Sequence, residues 1–203
     1  MRLLLLYCLL FVLNIITCLC FPLVNSPLGK EVPTHTQYEF TVEVNKKERI
    51  DELARFCVET FYEVGIPGCL DPHEIDEIIE YEKKGMIERA SSPLETLMVS
   101  AEEDGCRERK NKIMGFAETT KLNDNEALIR NVCTAIKHRG KGVGTCLMKT
   151  CMEYAQYEWK CKKCILNVED ENDKAIQFYE SLGFKPIPGR DLFGSIDMQF
   201  EFK

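Results

Sequence analysis

The run His138-Arg139-Gly140-Lys141-Gly142-Val143-Gly144-Thr145 joins two residue types that suit a phosphate group. Upstream lies an apolar stretch, Ala127 to Ile136. Downstream, Val143, Cys146, Leu147, Cys151, Tyr154 and Ala155 fall at helical spacing, which gives one buried stripe. The glycines therefore stand where a strand ends and a helix begins. The first amides of a helix have no partner within it, and the helix dipole is positive there. Glycine lets a bound group approach the backbone closely, and Arg139 and Lys141 add formal charge. The chemistry implied is a pyrophosphate cradle. Its spacing, Arg-x-x-Gly-x-Gly, is neither the Gly-x-Gly-x-x-Gly of dinucleotide sites nor a P-loop with Gly-Lys-Ser/Thr.

Arg139-x-x-Gly142-x-Gly144 resembles the acetyl-CoA motif of the GNAT superfamily of N-acetyltransferases. A second stretch, Asn172-x-x-Ala175-x-x-Phe178-Tyr179-Glu180-x-x-Gly183-Phe184, resembles that family's later motif, in which an Asn and a Tyr flank the cofactor. Two weak motifs in the right order and separation make a specific match, and the likeness spans residues 38–203. It implies acetyl-CoA as co-substrate, no metal, and an amine acceptor: a peptide N-terminus, a lysine or a small amine. It further implies cofactor contacts from Thr134, Ala135, Arg139, Gly140, Lys141, Gly142, Val143, Gly144, Thr145 and Asn172, with Tyr179 catalytic. In the family a fourth-strand amide polarises the thioester carbonyl; by position that amide lies near Thr134–Ala135. Asn172 suits two roles equally, cofactor contact and helix cap.

The implied reaction is attack of a neutral amine on the thioester carbonyl, with charge developing on oxygen and then on sulfur. The site must hold both reactants, donate to the oxygen and manage two protons. A phenol near pKa 10 is a weaker acid than a thiol near 8.5, so Tyr179 fits a hydrogen bond to the nascent thiolate better than full proton transfer. No general base stands out. The positions where relatives carry one fall near Leu128 and at Asn167. Glu118 is the nearest unassigned carboxylate and reads as a solvent-facing strand residue. A site without a strong base favours an α-amine, with pKa near 8, over a lysine near 10.4.

The elements that must position these residues read as β-α-α-β-β-β-α-β-α-β. Strands are expected at Glu39–Val44, Thr96–Ala101, Lys112–Thr119, Ala127–Ile136, Lys163–Glu169 and Ser195–Phe202. Ile50, Leu53, Ala54, Cys57, Val58 and Phe61 share a helical face. Asp71-Pro72-His73-Glu74 starts a second helix that turns Ile75, Ile78 and Ile79 inward. Glu102 to Asn111 reads as a charged loop. Asn172–Leu182 is a helix closed by Gly183. The order gives an α+β fold with a mixed sheet. By resemblance the sheet is largely antiparallel, carries helices on both faces, and splays its fourth and fifth strands to admit the pantetheine arm.

Net charge is −7, which argues against nucleic acid as a partner and suits an amine-bearing substrate. Residues 1–20 combine Met1-Arg2 with an apolar run to Cys20. They read as a signal peptide cleaved after Cys20, with an uncleaved anchor as the alternative. Residues 21–37 read as a proline-bearing linker or transit segment, and residues 38–203 as the acetyltransferase domain. Membrane contact is expected only through the leader. The compartment expected is an endomembrane lumen or a plastid-type organelle rather than the exterior, with membrane anchoring possible, because a coenzyme A enzyme needs a local supply. Eleven cysteines read mostly as buried free thiols, with disulfides as the alternative in an oxidising lumen. Two other readings stand beside the enzyme: an inactive acyl-CoA-binding module or tethered scaffold, and a disulfide-rich secreted binder.

Overall fold

The computed structural model describes residues 40–44, 47–62, 72–103, 113–189 and 194–203. The leader, the linker and the Gly65–Gly68 helix stop expected from sequence lie outside them, as does the Asp71 cap. The elements run β1 (Phe40–Val44), α1 (Ile50–Tyr62), α2 (Pro72–Ser91), β2 (Thr96–Glu103), β3 (Ile113–Lys121), β4 (Glu126–Thr134), α3 (Val143–Tyr157), β5 (Lys163–Glu169), α4 (Asp173–Ser181), β6 (Lys185–Pro186) and β7 (Ser195–Glu201). This is the expected order with a two-residue β6 added.

All seven strands form one sheet in the order β1-β2-β3-β4-β5-β7-β6. Neighbours pair antiparallel except β4 and β5, which are parallel. The sheet separates two apolar clusters. On one face α1 and α2 set Ile50, Leu53, Ala54, Cys57 and Met86 against Met98, Ile113, Phe116 and Cys133. On the other, α3 sets Val143, Leu147, Met148, Cys151 and Ala155 against Val99, Met114, Ala117, Ala127 and Ile129. β3 is sandwiched between them, and every residue but its terminal Lys121 is buried. That double burial explains why its sequence, Ile-Met-Gly-Phe-Ala-Glu-Thr-Thr, lacks clear alternation.

Several expectations shift. Phe61, placed by periodicity on the buried face of α1, is 48% exposed. Of the three isoleucines of α2, only Ile79 is buried; Ile75 and Ile78 are half-buried. β2 continues through Glu102, which is 1% exposed and paired with Arg49. The strand therefore runs two residues past its expected end, because an arginine from the turn before α1 neutralises the carboxylate. β4 stops at Thr134, and Ile136–His138 forms a short 3-10 turn instead of further strand. The largest revision concerns Glu118. It is fully buried, not solvent-facing. The six described cysteines are buried free thiols.

Candidate active site

β4 and β5 pair only at their beginnings: Glu126 with Lys163, Ala127 with Cys164 and Leu128 with Ile165. β4 runs on to Thr134 and β5 to Glu169 without further mutual pairing. The two strands thus open into a wedge whose apex is Leu128 and Ile165. Opening a sheet exposes backbone donors and acceptors that must find another partner. Ala135 donates its amide to the Met114 carbonyl on the β3 side, 3.0 Å. Successive residues of an antiparallel ladder turn their N–H groups to alternate edges. The Thr134 amide therefore faces the wedge, and Ala135's is committed to the sheet.

The glycine loop closes the wide end of the wedge. Gly140 (φ 73°) and Gly142 (φ 83°) have left-handed backbones, and a Cβ built on either meets nothing within 4 Å. Gly142 is the cap of α3, and no side chain caps that helix. The first amide to find an intrahelical acceptor is Cys146, bonded to the Gly142 carbonyl. The amides of Val143, Gly144 and Thr145 precede that bond, so they form the unsatisfied first turn. Arg139 donates from Nε to the Thr134 carbonyl, 3.0 Å, which holds its exposed guanidinium beside the loop. Lys141 is half-buried next to it.

Gly144 has a different reason to be glycine. A Cβ there would lie 3.4 Å from Phe178 Cζ and 3.4 Å from Thr134 Oγ1. The end of β4, the start of α3 and the middle of α4 converge on it. Asn172 caps α4, its side-chain oxygen accepting from the Ala175 amide at 3.2 Å. Tyr179 is 8% exposed and packs against Phe178 and Phe184, with centroids 5.3 and 6.1 Å away. Burial, with the Cys133 thiol adding to it, pushes its phenol up to about 12.

Sequence reasoning missed three features. The register of β3 against β4 slips between Phe116 and Glu118, and Asn131 has φ 54°, so β4 carries a bulge beside the wedge. Nothing in the string of residues marks it. Buried polar groups pin the bulge. Asn131 Nδ2 donates to Glu82 at 2.8 Å and to Glu118 at 3.3 Å. Arg89 donates to both Glu118 oxygens at 2.6 and 3.0 Å and to Glu82 at 2.9 Å. Finally, Gly115 admits α3. A Cβ there would come within 2.9 Å of Leu147, Val143 and the Cys133 carbonyl. A lone glycine in a strand pattern is the one available hint of such close approach.

The residues present fit a coenzyme's diphosphate: an uncapped helix start, two open left-handed glycines and two flanking cations. Among the described residues no cluster of His, Cys, Asp or Glu could hold a metal ion.

Comparison with known proteins bears on the fold and the family. The chain is similar to the PaiA N-acetyltransferase of Thermoplasma acidophilum, whose crystal structure is a complex with coenzyme A, with a TM-score of 0.61 and 20% identity over 79% of this chain and 99% of that one. It is similar to a GNAT-family acetyltransferase of Staphylococcus aureus Mu50, with a TM-score of 0.59 and 16% identity over 81% and 99% of the two chains. Those identities speak to fold alone. In sequence it is 33% identical over 69 residues to the uncharacterized N-acetyltransferase YobR of Bacillus subtilis, 34% of this chain and 28% of that protein's length. Residues 52–184 match the acetyltransferase (GNAT) family, and this chain belongs to it.

Proposed function

We propose that the chain is an acetyl-CoA-dependent N-acetyltransferase that moves an acetyl group directly to a primary amine, with protein N-termini favoured over lysine and small amines. The observation that carries this is the wedge: strands that part at Leu128 and Ile165 and open toward an uncapped helix start. The coenzyme A complex of the Thermoplasma relative supports the choice of cofactor.

Acetyl-CoA supplies an activated acyl group as a thioester. The first-turn amides of α3, with Arg139 and Lys141, bind the diphosphate. The Thr134 amide faces the wedge and donates to the carbonyl oxygen as charge develops there. The amine nitrogen forms the new C–N bond, the C–S bond breaks, and the amine's proton ends on the departing sulfur. Tyr179 offers its hydroxyl to that sulfur. With the phenol at about 12 and a thiol near 8.5, full proton donation is uphill by about 5 kcal/mol. Tyr179 therefore stabilises the thiolate by a hydrogen bond, and the proton arrives by another route.

Preference for an α-amine rests on the lack of a free base at the expected positions among the described residues. Glu118, the nearest carboxylate, has both oxygens held by Arg89, and Asn167 is no base. At physiological pH an α-amine is appreciably unprotonated, whereas about 0.1% of a lysine amine is. Steady-state assay of peptides matched except for α- against ε-amine tests this; faster transfer to the ε-amine contradicts it. Coenzyme A binding without transfer to any amine would favour the inactive acyl-CoA module. We further propose entry into the secretory pathway, on the apolar run of residues 1–20, with retention in an endomembrane or plastid-type organelle. Sequencing the mature N-terminus and imaging a C-terminal fusion test that reading.

A further inference from the structure

The wedge has two lips, and they are chemically unequal. Leu128 and Ile165 are the last cross-strand partners. Two residues on, Arg130 and Asn167 occupy equivalent places on β4 and β5. Side chains alternate along a strand, so both project from the same face as Leu128 and Ile165. Arg130 pairs directly with Glu118 across β3 and β4, and Glu118 reaches Arg89 of α2. That face is therefore the one α1 and α2 partly cover, opposite to α3. Asn167 spends its side-chain amide on Ser195 Oγ and Asp197 Oδ1, both 2.9 Å.

Arg130 has no such outlet. Its Nε is fully buried and makes no hydrogen bond to a described residue. The carboxylates that act on it, Glu118 and Glu82, bond instead to Arg89 and Asn131, through both Glu118 oxygens and through Glu82 Oε1. Burial lowers its affinity for the proton, with Arg89 adding to that effect and Glu118 and Glu82 opposing it. A guanidinium does not deprotonate in a protein, so this is a half-buried cation with one buried donor, Nε, left without an acceptor among the described residues. A buried donor left unmet carries its full desolvation penalty. Native interiors hold few such groups. Planar guanidinium donors match a carboxylate in a bidentate pair.

We propose that Arg130 reads the acceptor: the favoured amine carries a carboxylate within a few bonds of the attacking nitrogen, and Arg130 binds that carboxylate within the wedge, two residues from its apex, on the face that α1 and α2 partly cover. The assignment rests on the transferase reading and narrows it. Two sources share this chemistry, an acidic first residue of a peptide and the α-carboxylate of a free amino acid.

The test is a steady-state comparison of matched acceptors on the full chain, wild type, Arg130→Gln and Arg130→Lys. One arm sets a Glu-first peptide against its Gln-first twin. The other sets free glutamine against its α-amide. In at least one arm kcat/KM of the wild type should favour the carboxylate about tenfold or more, carried in KM. Arg130→Gln should bring that ratio close to one, and Arg130→Lys should keep part of it. The arm that responds identifies the source. Coenzyme A affinity, measured on each variant, verifies that the fold is intact. Wild-type indifference to the carboxylate in both arms, or an equal loss for both members of each pair in Arg130→Gln, overturns the assignment. A chain that binds coenzyme A yet acetylates nothing contradicts the transferase reading and removes this one with it.

Discussion

Leu128 of β4 lies opposite Ile165 of β5, and no later residue of either strand faces the other across a ladder. The sheet is continuous elsewhere. The interruption exposes the Thr134 amide, and the bulge at Asn131 falls inside it. The glycine loop stands at its open end. The site is thus an unpaired strand edge, kept available by a buried polar cluster on one side and an uncapped helix on the other.

Gly142→Asp separates cofactor binding from stability. Aspartate is a good helix cap and tolerates a left-handed backbone better than most residues, and the position is open. Its charge, however, would meet a diphosphate at the start of α3. We expect the melting temperature to move by about 4 °C or less, and coenzyme A affinity to fall at least tenfold, about 1.4 kcal/mol. Thermal melts and calorimetry on one preparation measure both; undiminished affinity contradicts the cradle.

Tyr179→Phe should lower kcat by about 10- to 100-fold, short of full general-acid catalysis, with coenzyme A affinity unchanged. The hydroxyl makes no hydrogen bond to a described residue, so stability should hold. Because the phenol is held near 12, the rate profile should show no tyrosine-dependent fall between pH 8 and 10. A Phe variant that removes an alkaline limb in that range would contradict the hydrogen-bonding role.

The Arg89–Glu118 pair is buried on the carboxylate side and half-buried on the other. Removing one partner of a buried pair costs about 3–5 kcal/mol, whereas replacing both with apolar groups recovers much of it. Glu118→Leu should therefore lower the urea midpoint strongly, and the double variant with Arg89→Met should sit between it and the wild type. A single variant as stable as the wild type would show that the pair does not hold the bulge.

His138 is 4% exposed, and neither ring nitrogen has a partner among the described residues. Burial lowers its pKa, with Lys137 and Lys141 adding to the effect and Glu103 opposing it. The unfolded chain takes up this proton near pH 6.5 and the folded one resists it. Its share of stability is therefore complete above pH 6.5 and declines below. His138→Phe should lose less melting temperature than the wild type between pH 7.5 and 5.5; an equal loss excludes His138 as the cause.

Most of the framework was legible because it obeys local rules. The α3 stripe, the glycine loop, the Asn172 cap and the succession of elements along the chain all follow from periodicity and turn chemistry. What escaped the sequence depends on distant partners. Glu118 looks like a surface residue until Arg89, 29 residues earlier, is placed beside it. Glu102 looks like loop until Arg49 meets it. The Asn131 bulge is set by register, which no local pattern encodes. Arg130 gains its meaning only when β5 is seen to leave it.

Isothermal calorimetry of the purified chain with coenzyme A bears most directly on the cradle at Gly142–Thr145. The account predicts saturable one-site binding that weakens as salt rises, as expected for a diphosphate held by Arg139, Lys141 and the first-turn amides. No binding heat, or binding that Gly142→Asp leaves untouched, would contradict it.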